Sequence, residues 1–334
     1  MAGYPEAHPG LPTPTPLADD GRGTGWTSNV ARSRNTGDLI FQSLTGLGAV
    51  VVVAVVGAIL LLLLWKSMPS IQRFGLGFIT SSDWDPLHER FGAWPSIYGT
   101  LVTTAIAMLL AVPLSLVTAL FLVDLSPPWL SRIVGTGLEL LAAVPSIIYG
   151  MWGMTVFASF MQRWIEPGLA GTLGFLPLFQ GQMNGMGMLT AGLILALMIL
   201  PYICAVSRDV FRMTPGVLKE SAYGMGATTW EVTRDVTIPY GMRGILGAVF
   251  LGLARAIGET MAVTFVIGDN RHVAASLFAS GNTISSTLAN QFNEATGIKY
   301  SVLVELGLVL FLITVAFEIF AHLWLRRLRN AGGR

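Results

Sequence analysis

Hydrophobic residues in this chain fall in long blocks, not in the short alternations of a soluble fold. The first block runs from Leu44 to Trp65 without a charge, long enough for the ~20 apolar residues that a membrane span requires. Five more follow, at about 95–123, 134–160, 185–206, 243–268 and 299–324. Blocks of this length predict helices that cross a bilayer, because a helix satisfies its own backbone polar groups within lipid. The expected fold is an all-α integral membrane protein with six transmembrane helices. Pro113, Pro145 and Pro201 lie inside three of the blocks and predict kinks that neighbouring helices can support. The segment 165–184 is apolar but broken by Gly and Pro; it predicts an external loop rather than a span.

The blocks divide the chain into a disordered tail at 1–38, a first transmembrane helix at 39–66 and an external segment at 67–94. A core of five transmembrane helices follows at 95–325, with a polar loop at 207–242 inside it. The tail reading rests on its Pro, Gly and Thr content and its lack of apolar period. No cleaved signal peptide is expected, since the first apolar run starts only near Leu44 and lacks a small-residue cleavage site.

Six spans put both termini on one side, and charge decides which. With the termini in the cytoplasm, thirteen Lys and Arg fall in inner segments and six in outer ones, as the positive-inside rule asks. Composition agrees: the 334 residues are 53% hydrophobic and 12% charged, with mean hydropathy +0.64, far from a soluble domain. A net charge of +1 gives no case for nucleic-acid binding. Cys204 is the single cysteine, so no internal disulfide can form, and its place in an apolar run predicts a small buried hydrophobe. His8, His88, His272 and His322 are scattered and suggest no metal cluster.

The polar segment Lys219–Pro239, KESAYGMGATTWEVTRDVTIP, is too rich in helix formers and charges for a simple connection. Thr214 and Pro215 read as an N-cap and a first-turn proline. Gly224 and Gly226 loosen the chain, Thr228 and Glu231 form a capping box for a second helix, and Pro239 sets the limit before which that helix ends. A bent helical pair standing off the cytoplasmic face is a docking element.

Among charged residues within spans, Arg255 stands out. It lies ~18 Å along the fifth span at 1.5 Å per residue, where a charge costs at least ~2.5–3.5 kcal/mol. Glu259, four residues on, would share its face. The order Arg-then-Glu is the weaker one for local helix stabilisation, which argues mildly against a purely structural pair. Glu139, Glu305 and Glu318 are the other acids within spans. Glu305 is expected near the outer end, facing water or headgroups. Glu139 and Glu318 sit at similar depth in the cytoplasmic half, where one pairs with an arginine of this chain or a partner. Asp124 and Arg132 flank an ordinary inner turn. Trp84 and Trp94 read as interfacial anchors of the first outer segment. The loop 269–298, rich in Ser, Thr and Asn, reads as either an external docking surface or an ordinary solvated loop.

Glu220, Ser221 and Ala222, then Gly226, then Val236-Thr237-Ile238-Pro239, resemble the coupling motif (E-A-A-x3-G-x9-I-x-L-P) of ABC-importer permeases. Ser221, Val236 and Ile238 depart from it conservatively. The segments ELLAAVPSIIYG (139–150), ARAIGETMAVTFVIGD (254–269) and SLFASGNTISSTLANQFNEA (276–295) further resemble the PstC-type permease family of the bacterial phosphate-specific (Pst) system. The likeness runs from about Phe74 to Trp324.

This resemblance implies a type I ABC-importer permease fold in the bacterial plasma (inner) membrane, with half of a pathway for inorganic phosphate in this chain. It implies a second permease of PstA type, two ATP-binding subunits and an external phosphate-binding protein, and it favours the docking reading of 269–298. Glu220, Ser221, Ala222, Gly226 and Pro239 would form the ATPase contact. For phosphate, Arg255 supplies a fork for two oxygens, and Glu259 would accept the proton that sulfate lacks. The chain carries no G-x-x-x-x-G-K-[ST] loop, so no enzyme activity and no cofactor of its own are expected; ATP would be used by partner subunits. The alternatives are a permease for molybdate or sulfate, an ATP-independent secondary transporter, for which no internal repeat speaks, and a scaffold for phosphate sensing.

Overall fold

The computed structural model describes residues 36–331. The tail expected at 1–38 lies outside the described residues except for its last three, which are helical. Packing divides the chain into two units that meet in sequence at Val55 and Val56. The first is represented by the start of helix α1 (Thr36–Phe74). Its apolar side chains point outward all round, and none of its most apolar stretch is buried. An all-round apolar helix has lipid as its natural solvent.

The second unit holds the remaining elements. A short helix α2 (Gly77–Thr80) leads to a two-stranded hairpin, β1 (Trp84–Asp85) and β2 (Arg90–Phe91), paired Trp84 to Phe91 and Asp85 to Arg90. Helix α3 (Trp94–Leu120) follows, extended by a π turn at Phe121–Leu125. Helices α4 (Pro128–Ala143) and α5 (Ser146–Leu173) meet at a 90° bend. Helix α6 (Met188–Arg212) is the central element, two-thirds of its apolar window being buried. Then come α7 (Gly216–Gly224), α8 (Thr229–Gly258), α9 (Met261–Ile267), α10 (Ile284–Gln291) and α11 (Gly297–Ala331).

Among the described residues five helices are long and apolar enough to cross a membrane, and the bent α4–α5 pair, counted as one span, makes a sixth. The prolines behave differently from one another. Pro113 and Pro201 sit inside unbroken helices, whereas Pro145 splits the expected 134–160 span in two. The cause is local: Val144, which precedes Pro145, is driven out of the helical region to ψ 128°. Helix α5 also runs into the segment read as an external loop; only beyond Leu173 does that segment become irregular, with a 3₁₀ turn at Pro177–Phe179.

The fifth block departs from expectation at both ends. Helix α8 does not stop before Pro239. A π turn at Thr233–Thr237 lets the Ile238 N–H bond to Thr233 O. Pro239 then stands at the first turn of the resumed α-helix, where its missing N–H costs least. At the far end the helix stops at Gly258, and Glu259 is extended (φ −68°, ψ 127°) before α9 begins.

The main core gathers Ala107 and Ala111 of α3, Ile194, Ile199 and Ile203 of α6, Ala248 and Ala256 of α8, and Val263 and Val266 of α9. Small residues on α3 and α8 against branched ones on α6 let these backbones approach closely. A second core near the outer end joins Phe78, Phe91 and Ile97 to Ile284, Val302 and Leu306.

Candidate functional site

Two regions bring chemistry-bearing residues together: the cytoplasmic pair formed by α7 and the start of α8, and the gap between α8 and α9. Helix α7 starts one residue later than the sequence suggests. Pro215, with ψ 131°, occupies the N-cap position itself. Thr214 is buried with its hydroxyl unpartnered, and its N–H closes the end of α6 on Phe211 O. The helix ends in a Schellman arrangement: Ala227 N–H bonds Ala222 O and Gly226 N–H bonds Tyr223 O. Gly226 holds φ +89°, and nothing lies within 4 Å of where its Cβ would stand. Glycine is therefore needed here for the backbone turn.

The second helix opens with the expected capping box. Glu231 accepts from Thr228 N–H at 2.7 Å, and Glu231 N–H donates to Thr228 Oγ1 at 3.4 Å. These bonds, the Thr228 backbone first among them, lower the Glu231 pKa below the ordinary carboxylate value. The cap is thus complete above the usual Glu range and fades as pH falls through the lowered value.

The remaining motif residues are distributed around this turn. Glu220, Ser221 and Pro239 are exposed and Ala222 is buried; the Ser221 hydroxyl donates to Val217 O at 2.7 Å. Around them Val217, Met225 and Trp230 are 71%, 84% and 67% exposed, an apolar face on the cytoplasmic side. Sequence reasoning missed what holds this pair in place. Lys219 Nζ lies 2.6 Å from Asp124 Oδ1, both side chains largely buried, tying α7 to the inner end of α3. The two are 95 positions apart, and neither has a local pattern that names the other.

At the gap, Arg255 and Glu259 do not form the expected i,i+4 pair, because the helix ends between them. Arg255 stands exposed in the last turn of α8, where the helix dipole favours a cation. Its guanidinium carbon is 5.9 Å from the centre of the Tyr202 ring on α6. Among the described residues no carboxylate lies within ion-pair distance of it. Glu259 instead caps the next helix, its Oε1 accepting from Ala262 N–H at 3.1 Å. Bare backbone at membrane depth is tolerated where it is buried in protein or lines a watery cavity; exposed Gly258 fits the second case.

The other acids resolve differently. Glu139 pairs with Arg208 at 2.7 Å, and Glu318 lies 3.9 Å from His322 on its own helix. Glu305 faces neither water nor headgroups: it is 6% exposed, with Oε2 unpartnered, amid the second core. Trp84 is no free anchor. It packs edge-on to Phe91 at 5.2 Å and carries the Arg271 guanidinium 4.6 Å above its ring. The polar stretch 282–287 does not offer a docking surface either. Asn282, Thr283, Ser285, Ser286 and Thr287 are all buried. They bond inward: Ile284 N–H donates to Thr100 Oγ1 at 3.0 Å, and Thr287 Oγ1 lies 3.2 Å from Ser96 Oγ. Small hydroxyls satisfy the backbone of a buried turn where larger polar groups would not fit.

Comparison with known proteins places these features. A family model described as "binding-protein-dependent transport system inner membrane component" matches residues 111–330. A protein of Pasteurella multocida named "phosphate transport system permease protein PstC" is 48% identical over 301 residues, 89% of this chain and 94% of its own. The Haemophilus influenzae protein of that name is 48% identical over 88% of this chain and 95% of its own. In Mycobacterium tuberculosis, "PstC 1" is 37% identical over 85% and 91%. Among solved structures, a bacterial alginate ABC transporter chain matches at TM-score 0.55 and 17% identity, covering 88% of this chain and 98% of that one; this likeness bears on the fold alone. A multi-pass chain with this break, this cytoplasmic helical pair and these relatives belongs to the PstC family of inner-membrane ABC-importer permeases.

Proposed function

We propose that this chain forms half of the pathway of an ATP-driven importer of inorganic phosphate. The observation that carries the reading is the broken span: α8 ends beside an exposed, carboxylate-free guanidinium, and α9 begins on a carboxylate. Arg255 contacts the anion in transit with two N–H groups, and Glu259 accepts a hydrogen bond from protonated phosphate while repelling sulfate and molybdate. A PstA-type permease faces this gap and completes the pathway. An external phosphate-binding protein delivers the solute from outside. Two ATP-binding subunits dock on α7 and the start of α8, where Glu220, Ser221, Ala222, Gly226 and Pro239 shape the contact. The exposed apolar face around Trp230 supports this docking. ATP is bound and hydrolysed by those subunits, and this chain carries no cofactor and no catalytic site.

The test is phosphate uptake by Arg255→Gln in membranes where the complex still assembles. Uptake is expected to fall at least tenfold, as loss of a charge-assisted bond to the anion implies. Normal uptake would overturn the role of Arg255. Excess sulfate or molybdate that displaced labelled phosphate would overturn the substrate.

A further inference from the structure

A cavity of about 460 Å³ opens among the inner ends of α3, α4 and α6, away from the gap that holds Arg255. Three guanidinium groups line it: Arg132 from α4, and Arg208 and Arg212 from α6. Arg208 is held in place. Its side chain is 9% exposed, its Nη2 is 2.7 Å from Glu139 Oε1, and its Nη1 occupies the space where a Cβ on Gly135 would stand. Its Nε is buried without a hydrogen-bond partner, 3.7 Å from Asp209 Oδ1. The other two cations, Arg132 and Arg212, are exposed and free of carboxylates: among the described residues none lies within ion-pair distance of either. Arg212 reaches only the neutral Ser131 hydroxyl, at 3.5 Å. Asp124, on the turn that carries Leu122 and Val123 of the lining, is taken by Lys219.

Crowding three cations where the carboxylates at hand, Glu139 and Asp209, both engage Arg208 is costly unless something negative shares the space. Arginine forks match phosphate oxygens in pairs. The cavity also opens on the side where the positive-inside count puts the cytoplasm, which is where anionic headgroups meet basic residues. We infer that this cavity is a second phosphate-group site, built by Arg132, Arg208 and Arg212 with Ser131, at the cytoplasmic mouth of the chain. Inorganic phosphate and the headgroup of an anionic phospholipid present the same chemistry to it. The inference does not depend on the role of Arg255.

Binding, not uptake, tests it. The assembled importer, without its external binding protein, is placed in lipid discs both with Arg255 intact and as Arg255→Gln, so that the cavity is read whatever the gap binds. In purely zwitterionic discs, equilibrium binding of radiolabelled inorganic phosphate is measured. In discs doped with phosphatidylglycerol, the lipid retained after extraction is counted by native mass spectrometry. The expected result is binding in at least one arm that falls tenfold or more in R132Q/R212Q; the arm that responds names the source. Gly135→Ala keeps every charge but displaces the Arg208 head, and is expected to weaken the same binding severalfold. Should the double variant not assemble, R132Q and R212Q are read singly, both side chains being exposed. Binding in neither arm, or binding unchanged in these variants, overturns the site.

Discussion

Gly226 shows how one residue serves the cytoplasmic turn. Its φ of +89° is a region that an L side chain enters at a cost of about 1–2 kcal/mol. The open space around it means that this cost is purely backbone strain. Gly226→Ala is therefore expected to leave folding and membrane insertion intact while loosening the Schellman turn that aims α8 away from α7. ATP-driven uptake should drop severalfold in Gly226→Ala and less in Gly226→Asn, since Asn tolerates this conformation better. Uptake and ATPase rate measured together check this. Equal activity in both variants would show that the angle of the turn is irrelevant. At the same scale, Glu259 illustrates a limit of sequence reading. Its spacing from Arg255 is that of a helical pair, and only the backbone reversal at ψ 127° turns it from that pair into the cap of a new helix.

At the scale of elements, apolar block length made the long helices legible, and the Thr228–Glu231 spacing made the start of α8 legible. What escaped were features that no local pattern announces. Whether a proline breaks a helix is one: Pro145 does, with Val144 driven to ψ 128°, while Pro113 and Pro201 do not, although all three sit in apolar blocks. The burial of 282–287 is another, since Ser and Thr read as solvated until Thr100 and Ser96 of α3 are seen to accept and share their bonds. The Lys219–Asp124 pair is a third. With side chains 19% and 13% exposed, it lies between a surface pair worth little and a buried one whose rupture is expensive. Lys219→Met alone is expected to cost about 2 kcal/mol, because Asp124 is left buried and unpaired. Lys219→Met with Asp124→Leu should recover most of that loss. A double-mutant cycle on thermal stability in detergent reads the coupling. Additive losses would show that the two side chains merely sit near each other.

For the whole molecule the proposed chemistry is divided between a gap at membrane depth and a helical pair in the cytoplasm that would act as a lever, joined by the single helix α8, whose ends carry Thr228 and Arg255. That arrangement has a signature in backbone hydrogen exchange, which reports local opening. The amides of 259–262 have weak or side-chain partners only: Glu259 N–H reaches Ala256 O at 3.4 Å, and Ala262 N–H depends on the Glu259 carboxylate. Ile199 and Ile203 of α6, which flank the Tyr202 ring near Arg255, lie inside the main core. If the gap faces water, exchange at 259–262 should exceed that at 199–203 on the order of a hundredfold, the difference between local fraying and core opening. Adding the ATP-binding subunits should slow exchange across 216–232, where the exposed apolar face becomes covered, while a distal stretch such as 284–287, already buried, stays unchanged. Uniform slow exchange through 259–262 would mean that the break is sealed by protein and carries no solute. Unaltered exchange at 216–232 in a competent assembly would mean that the lever is worked from elsewhere.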